Sequence, residues 1–200
     1  MIACNHLGYL DILVLAAATP VVFVAKREVA RWPVFGWFAR MAGTHFIDRD
    51  TRSDVARVAG ELAPAIDAEL GVVLFLEGTS TDGTSVLPFK SSLLETAVKA
   101  GWPVVPAALT YGLPAGYSVR DEVCWWGEMT LMPHLLHLLT LPRIEAFVAW
   151  GSAVVGVNNR KTLAASLHGR VVALHGALVG CVSPETGVAP TRFEMANVES

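Results

Sequence analysis

Residues 72–83 read VVLFLEGTSTDG, an apolar run that passes directly into a polar segment containing glycine. A short run of Val, Leu and Phe is typical of a strand buried on both faces of a parallel sheet. Other candidate strands, also rich in apolar residues, lie at 21–24, 104–108 and 144–150. Helical patterns lie between and around them, at 9–18, 51–70, 91–100 (with Ser91 as its N-cap) and 161–179. The alternation predicts an α/β domain with a mainly parallel central sheet and helices on both faces.

The composition of the chain excludes several classes of protein. Its 200 residues are 53% hydrophobic and only 16% charged, which excludes a disordered chain and allows one domain with a sizeable core. The longest charge-free stretch, residues 100–119, contains three prolines, so we expect no segment that spans a membrane by itself. The net charge of −3 argues against a nucleic-acid partner.

Polar residues that follow buried strands are the first candidates for function, because ligands of such sheets bind beyond the carboxyl ends of the strands. His6 follows the apolar start of the chain, and Asp11 lies in the first turn of the helix predicted at 9–18. At this spacing the carboxylate can fold back on the imidazole, fix its tautomer and stabilise its cation, which makes His6 a candidate general base. A loop histidine beside an aspartate in the first turn of a helix is the alternative that spacing alone leaves open.

Two further segments end candidate strands with polar residues. Glu77 and Gly78 follow the run at 72–75, although turn chemistry alone also accounts for this segment. Arg49 follows Phe46-Ile47, and its forked donors suit a phosphate. A surface ion pair with a neighbouring aspartate is the alternative for Arg49.

The order of these segments closely resembles the glycerolipid acyltransferase family, whose members acylate lysophosphatidate and related lysolipids. It runs His-x4-Asp, Gly-x-x-Phe-Ile-x-Arg, Phe-x-Glu-Gly-Thr and then Val-Pro near residue 105, and the resemblance extends from residue 5 to about 179. It implies an O-acyltransferase of membrane lipid biosynthesis that moves a fatty acyl group from acyl-coenzyme A or acyl carrier protein to a lysolipid hydroxyl. It implies no metal and no cofactor besides this acyl donor.

The resemblance also implies a role for each matching residue. His6 matches the catalytic histidine and Asp11 its charge-relay partner, while Arg49 matches an arginine that contacts the phosphate of the acceptor. The expected substrate-binding residues are Asn5, Arg49, Glu77, Gly78, Thr79 and Lys90.

Two positions depart from the family pattern and bear on the acceptor. Leu76 and Ser80 stand where the family usually has proline and arginine, and that arginine is a phosphate contact. The segment from Glu77 to Lys90 looks more like the branch that includes lyso-ornithine lipid acyltransferases, with Lys90 as a substitute cation. Lysophosphatidate and lyso-ornithine lipid both remain candidate acceptors.

Family members usually carry a membrane-anchoring segment before the first motif, whereas this chain starts almost on that motif. We therefore expect an acyltransferase domain at 1–182 without the anchor, and a disordered tail at 183–200. The expected location is the cytoplasmic face of a membrane, with the protein peripheral or held by a segment missing here. Candidate docking surfaces are the aromatic and basic residues within 26–40, the pair Trp125-Trp126 and the leucine run at 135–139, for which core packing is the alternative.

Two other functions stay open at this point. The chain could be a non-catalytic lipid-binding remnant, or a thioester hydrolase that uses the same His6–Asp11 pair with water as the acceptor.

Overall fold

The computed structural model describes residues 1–26, 44–47 and 53–182, and within them the side chains of all residues except 25, 26, 47 and 53–56. Its strands are β1 (Ile2–Cys4), β2 (Val21–Lys26), β3 (His45–Ile47), β4 (Gly71–Phe75), β5 (Val105–Gly112) and β6 (Glu145–Trp150). They form one sheet in the order β3-β2-β4-β1-β5-β6. All neighbours pair in parallel except β5 and β6, which confirms the predicted α/β class and the mainly parallel sheet.

The helices are α1 (Leu10–Ala18), α2 (Ser53–Asp67), α3 (Leu94–Ala100), α4 (Val119–Glu122), α5 (Leu131–Leu138) and α6 (Arg160–Val182). The prediction that Ser91 is the N-cap of the third helix is wrong. Residues Ser91–Leu93 form a 3-10 turn ahead of α3, and Leu93 occupies the N-cap position without a side-chain hydrogen bond. The chain already turns helically at Ser91, so the serine cannot adopt the extended conformation that an N-cap requires.

Strand β4 shows why the apolar runs read as buried strands. Val72, Val73 and Leu74 are all fully buried, because successive side chains enter opposite faces of the sheet and both faces are covered. Val72 and Leu74 belong to one hydrophobic cluster with residues of α2, α3 and α6. Val73 belongs to a second cluster with residues of α1. Helices therefore cover both faces, as the sequence predicts.

Helix α6 bears on the expectation that no segment spans a membrane by itself. Among the described residues it is the one helix that is long and apolar enough, by length and composition, to cross a membrane, with 23 residues and 22% of an apolar 18-residue stretch buried. Arg170 lies within this helix, which therefore contains no long charge-free stretch. Because a core helix of a soluble protein can have the same length and composition, the expectation stays a prediction. One side of α6 is buried, and Val171 and Leu178 pack with Ala108 of β5.

The register of the sheet brings the loops of interest together. Cys4, the last residue of β1, lies between Phe75 of β4 and Ala107 of β5. The segments that follow β1 and β4 therefore leave the sheet side by side at its carboxyl edge, where polar residues of a parallel sheet meet.

Candidate active site

His6 and Asp11 form a hydrogen-bonded pair at this edge. Only Asn5 separates His6 from the end of β1. The Nδ1 atom of His6 lies 2.8 Å from Oδ2 of Asp11, which is in the first turn of α1. The carboxylate is completely buried, whereas 21% of the His6 side chain is exposed. A carboxylate facing Nδ1 favours the tautomer that carries the proton on this nitrogen, which leaves Nε2 as the unprotonated ring nitrogen.

The turn between β1 and α1 is built around the same carboxylate. The backbone N–H groups of Leu7 and Gly8 donate to Asp11 Oδ2 over 2.6 and 3.0 Å. Asp11 thus accepts hydrogen bonds from two backbone N–H groups just ahead of α1. Short acidic side chains commonly have this role at the start of a helix. The local sequence alone can build the pair, because all of these groups lie within six residues.

Tyr111 is a member of the site that the sequence analysis missed. Its hydroxyl, on β5, donates to Asp11 Oδ1 over 2.7 Å, and only 2% of the residue is exposed. Burial and the Asp11 carboxylate raise the pKa of Tyr111 far above its usual range, so the hydroxyl stays protonated. A tyrosine within an otherwise apolar strand is the signal that could have identified it, since a buried hydroxyl requires a partner.

Phe75 is a second residue that the sequence analysis did not assign to the site. Its ring stacks on the His6 imidazole, with 4.0 Å between ring centroids and 18° between ring planes. Phe75 ends β4 beside Cys4, so its ring can support the imidazole that follows β1. Together Asp11 and Phe75 restrict both the rotation and the tilt of the His6 ring.

The Glu77 carboxylate joins the two loops that contain the predicted site residues. Its Oε1 accepts the backbone N–H of His6 over 2.8 Å, and its Oε2 accepts the backbone N–H of Leu87 over 2.7 Å. Glu77 is 2% exposed, and this burial raises its pKa. The Thr81 backbone N–H in turn donates to the His6 carbonyl oxygen over 2.9 Å. Glu77 therefore contacts the protein backbone with both oxygens and fixes the position of His6.

Gly78, Thr79 and Lys90 lie together on the open side of this segment. Gly78 has a φ of +76°, and a Cβ at this residue would stand 2.7 Å from Nζ of Lys90. All three residues are exposed. The Lys90 backbone N–H also donates to the Leu76 carbonyl oxygen over 2.8 Å, which holds the lysine beside the loop. The structure thus brings a cation to the segment that the sequence predicts to bind the acceptor.

The side chains of Asn5 and Ser80 form hydrogen bonds with backbone groups of other segments. The Asn5 side chain donates to the Leu109 carbonyl oxygen over 2.9 Å and accepts the Leu109 N–H over 2.8 Å, and it is almost completely buried. The Ser80 hydroxyl donates to the Trp125 carbonyl oxygen over 2.5 Å. Leu76, which replaces the usual proline, is buried in the core.

The remaining predicted features fall outside the described residues. These are Arg49, the aromatic and basic residues at 27–40, and the tail at 183–200. Within the described ranges, no group of three His, Cys, Asp or Glu side chains is arranged to hold a metal.

Cys4 lies next to the site in sequence, but its environment does not suit a nucleophile. The thiol is fully buried, and burial together with the Asp11 and Glu77 carboxylates raises its pKa well above the usual value. The reactive species of cysteine is the thiolate, which these surroundings disfavour. Cys4 is therefore a poor candidate for a nucleophile at this edge of the sheet.

Comparisons with known proteins identify the family of this chain. The Acyltransferase family model matches residues 1–110. The chain is 38% identical over 199 residues to a lyso-ornithine lipid O-acyltransferase of Brucella abortus (strain 2308), covering 92% of this chain and 74% of the relative. It is 36% identical to a 1-acyl-sn-glycerol-3-phosphate acyltransferase of Neisseria gonorrhoeae, covering 63% of this chain and 52% of the relative.

The fold also matches a solved structure. The crystal structure of the 1-acyl-sn-glycerophosphate acyltransferase PlsC from Thermotoga maritima superimposes with a TM-score of 0.60 and 21% sequence identity, covering 89% of this chain and 65% of that one. The predicted fold is thereby confirmed. Since the family model spans more than half of the sequence and a relative matches nearly all of it, this chain belongs to the acyltransferase family of enzymes.

Proposed function

We propose that this protein is an O-acyltransferase of membrane lipid biosynthesis that transfers a fatty acyl group from a thioester to the hydroxyl of a lysolipid. The donor is acyl-coenzyme A or acyl carrier protein, and His6 is the general base. The observation that carries the proposal is the His6–Asp11 pair, whose carboxylate is buried while the imidazole is partly open to solvent. The names of the relatives support lysolipids as the acceptor class.

In this mechanism His6 Nε2 takes the proton of the acceptor hydroxyl as its oxygen attacks the thioester carbonyl carbon. The tetrahedral intermediate collapses, the C–S bond breaks, and the departing thiolate takes the proton back from the imidazolium. The products are the acylated lipid and a free thiol. Asp11 stabilises the imidazolium and keeps the proton on Nδ1 during the reaction. No covalent enzyme intermediate is needed, consistent with the unfavourable surroundings of the Cys4 thiol.

The acceptor headgroup would bind along the exposed side of the loop after β4. Gly78, Thr79 and Lys90 are open there, and Lys90 supplies a cation for a phosphate or a carboxylate. Arg49 is proposed as a further headgroup contact on the resemblance alone. Asn5 and Glu77 support the same site from below through their bonds to Leu109, His6 and Leu87.

Replacement of His6 tests the general base. His6→Ala should abolish acyl transfer, while circular dichroism and the thermal unfolding midpoint stay close to those of the wild type. His137→Ala is the matched control, because that histidine is 48% exposed and pairs with Glu122 on the surface. Full activity of His6→Ala would refute the mechanism.

Replacement of Asp11 tests its role beside His6. Asp11→Asn should lower kcat strongly with little change in the acceptor KM, because Asp11 acts on the base and not on the bound lipid. The same assay without lysolipid distinguishes the hydrolase, since release of free fatty acid at the full rate would favour water as the acceptor.

Lyso-ornithine lipid is the acceptor that we favour over lysophosphatidate. Ser80 stands where an arginine is expected to contact a phosphate, and its hydroxyl donates a hydrogen bond to the Trp125 carbonyl oxygen. The lyso-ornithine lipid relative also covers more of the chain than the 1-acyl-sn-glycerol-3-phosphate relative. Values of kcat/KM for both acceptors with purified protein test this choice. A strong preference for lysophosphatidate would contradict it, and Ser80→Arg should shift the ratio toward lysophosphatidate.

The reaction is proposed to take place at the cytoplasmic face of a membrane, where the thioester donors and the lipid acceptor meet. An apolar docking surface on α5 and just beyond it supports this location. It consists of Met132, Leu136 and Leu139, which are 52%, 59% and 74% exposed. The hydroxyl of Tyr9, in the turn between His6 and α1, lies 2.9 Å from Nδ1 of His134 on α5, so this surface is joined to the site.

A further inference from the structure

The two oxygens of the Asp11 carboxylate have different partners. Oδ2 receives His6 Nδ1 and the backbone N–H groups of Leu7 and Gly8. Among the described residues, Oδ1 has a single hydrogen-bond donor, the Tyr111 hydroxyl, which belongs to a strand 100 residues away along the chain. This contact joins the local turn at residues 6–11 to β5, the strand that pairs with β1 in the sheet.

We propose that Tyr111 is a positioning residue for acyl transfer, which holds the Asp11 carboxylate in the orientation that keeps His6 a base. The inference rests on the proposed function, since it concerns how the same pair works. Tyr111 acts through Asp11 and contacts neither the acyl donor nor the acceptor in this scheme.

The positional part of the argument follows from the geometry of a carboxylate. Contacts on Oδ2 alone leave the group able to rotate about its Cβ–Cγ bond, whereas a second donor on Oδ1 fixes its plane. Tyr111 is well suited to this because β5 is an eight-residue strand, paired with β1 on one side and β6 on the other. A donor on so rigid an element sets the direction from which Asp11 faces Nδ1 of His6.

The electrostatic part concerns the negative charge on Asp11. The titratable groups that face the Tyr111 hydroxyl are Asp11 itself, Cys4 on β1 and Cys124 after α4, and both cysteines are neutral thiols. The Asp11 carboxylate also faces His6 and Glu77. Without the Tyr111 hydroxyl, Oδ1 would lose its donor among the described residues, and the carboxylate charge would act more strongly on the imidazolium that forms in the reaction. The Tyr111 contact therefore enters the pH dependence of the rate through the charge on Asp11.

Tyr111→Phe tests the inference, because it removes only the hydroxyl. The expected kcat is about tenfold lower, the loss typical of one hydrogen bond to a charged group, and KM should change less than about twofold. The midpoint of the acidic limb of the kcat/KM profile should move to higher pH. Tyr117→Phe is the matched control, because Tyr117 is 44% exposed and lies outside the site. A merely structural role would lower the thermal unfolding midpoint without moving the pH profile, and that result would overturn the proposal.

A double-mutant cycle separates this inference from the proposed function. In the Asp11→Asn background, Tyr111→Phe should change kcat by less than about twofold, because its effect passes through the carboxylate. A full tenfold loss in that background would overturn the positioning role. An active His6→Ala variant would instead refute the proposed function itself.

A second variant covers the case in which Tyr111→Phe does not fold. Difluorotyrosine incorporated at position 111 keeps the ring and the hydroxyl and makes it a stronger donor. It should move the acidic limb to lower pH, opposite to the direction expected for phenylalanine. An unchanged pH profile in this variant would count against the proposal.

Discussion

Two buried carboxylates organise the site, and their partners are mainly backbone N–H groups. Asp11 accepts two of these together with His6 and Tyr111, while Glu77 accepts one from each of two loops. Carboxylates bonded in this way act as fixed points around which a loop folds. The same residue type can therefore match a substrate-binding motif in sequence and still support the site from inside the protein.

Glu77 gives a prediction about the pH dependence of stability. Burial raises the pKa of its carboxyl, so the folded protein holds this proton more tightly than the unfolded chain. The free energy of unfolding contributed by Glu77 should therefore fall as pH rises from the ordinary glutamate value of 4.5 through the raised pKa. Glu77→Gln removes the titration, so its urea-derived free energy of unfolding should decline less than that of the wild type over this range.

The matched control for Glu77 is an exposed glutamate. Glu128→Gln should reproduce the pH slope of the wild type, because Glu128 lies on the surface. Equal slopes for wild type and Glu77→Gln would show that the carboxyl titrates alike in the folded and unfolded states.

At the scale of elements, the strands were predictable and their order was not. The runs at 21–24, 72–75 and 104–108 are recognisable because both faces of the sheet are covered, so their residues are uniformly apolar. The order β3-β2-β4-β1-β5-β6 and the antiparallel pairing of β6 depend on contacts between distant segments, which no local pattern records.

The same distinction holds for the site. The contact between His6 and Asp11 spans five residues and could be predicted from spacing, whereas that between Tyr111 and Asp11 spans 100 residues and could not. The exposure of Leu136 and Leu139 was also beyond the sequence, because a leucine run looks alike whether it faces the core or the solvent.

The Asn5 side chain joins the loop after β1 to β5, which gives a prediction about the stability of the protein. Asn5→Ala would leave both the N–H and the carbonyl oxygen of Leu109 without the partner they have now, in a buried part of β5. We expect the free energy of unfolding to fall by about 3 kcal/mol, from about 1–3 kcal/mol for each unsatisfied group. Asn159→Ala is the control, because Asn159 caps the exposed start of α6 and should cost about 1 kcal/mol. Equal losses in the two variants, measured by urea unfolding, would refute this view of Asn5.

The outer side of α6 gives a prediction of opposite sign. Gly176 lies within this helix, and a Cβ added there would meet no atom within 4 Å. Gly176→Ala should therefore raise the free energy of unfolding by about 1 kcal/mol through helix propensity alone. Gly101→Ala has the same open space but a φ of +67° at the end of α3, so it should lower stability by a similar amount. Urea unfolding of both variants checks the two signs together, and a loss of stability in Gly176→Ala would contradict the prediction.

At the scale of the whole molecule, the sheet edge with His6 and the docking surface on α5 must work together if the acceptor is a membrane lipid. The Tyr9–His134 contact connects them, and α5 packs on the same cluster as β1 through Leu138. A rigid connection of this kind would hold the imidazole at a constant height above the bilayer. Docking through the apolar surface should therefore matter for acylation of lipid in vesicles and not for a substrate that is soluble as a monomer.

The last prediction follows from this arrangement. Leu136→Gln combined with Leu139→Gln should weaken binding to phosphatidylethanolamine and phosphatidylglycerol vesicles by about 30-fold, from roughly 1 kcal/mol of burial for each leucine. Activity on vesicle-borne lysolipid should fall with binding, while activity on a soluble short-chain acceptor should be unchanged. The control is Val155→Gln combined with Val172→Gln, since these residues are 67% and 43% exposed outside the docking surface. Flotation measures binding, and the apolar contact should persist at high salt because ions screen only charges. If binding disappears at high salt and is unchanged by the two leucine substitutions, charged residues make the contact with the vesicles instead.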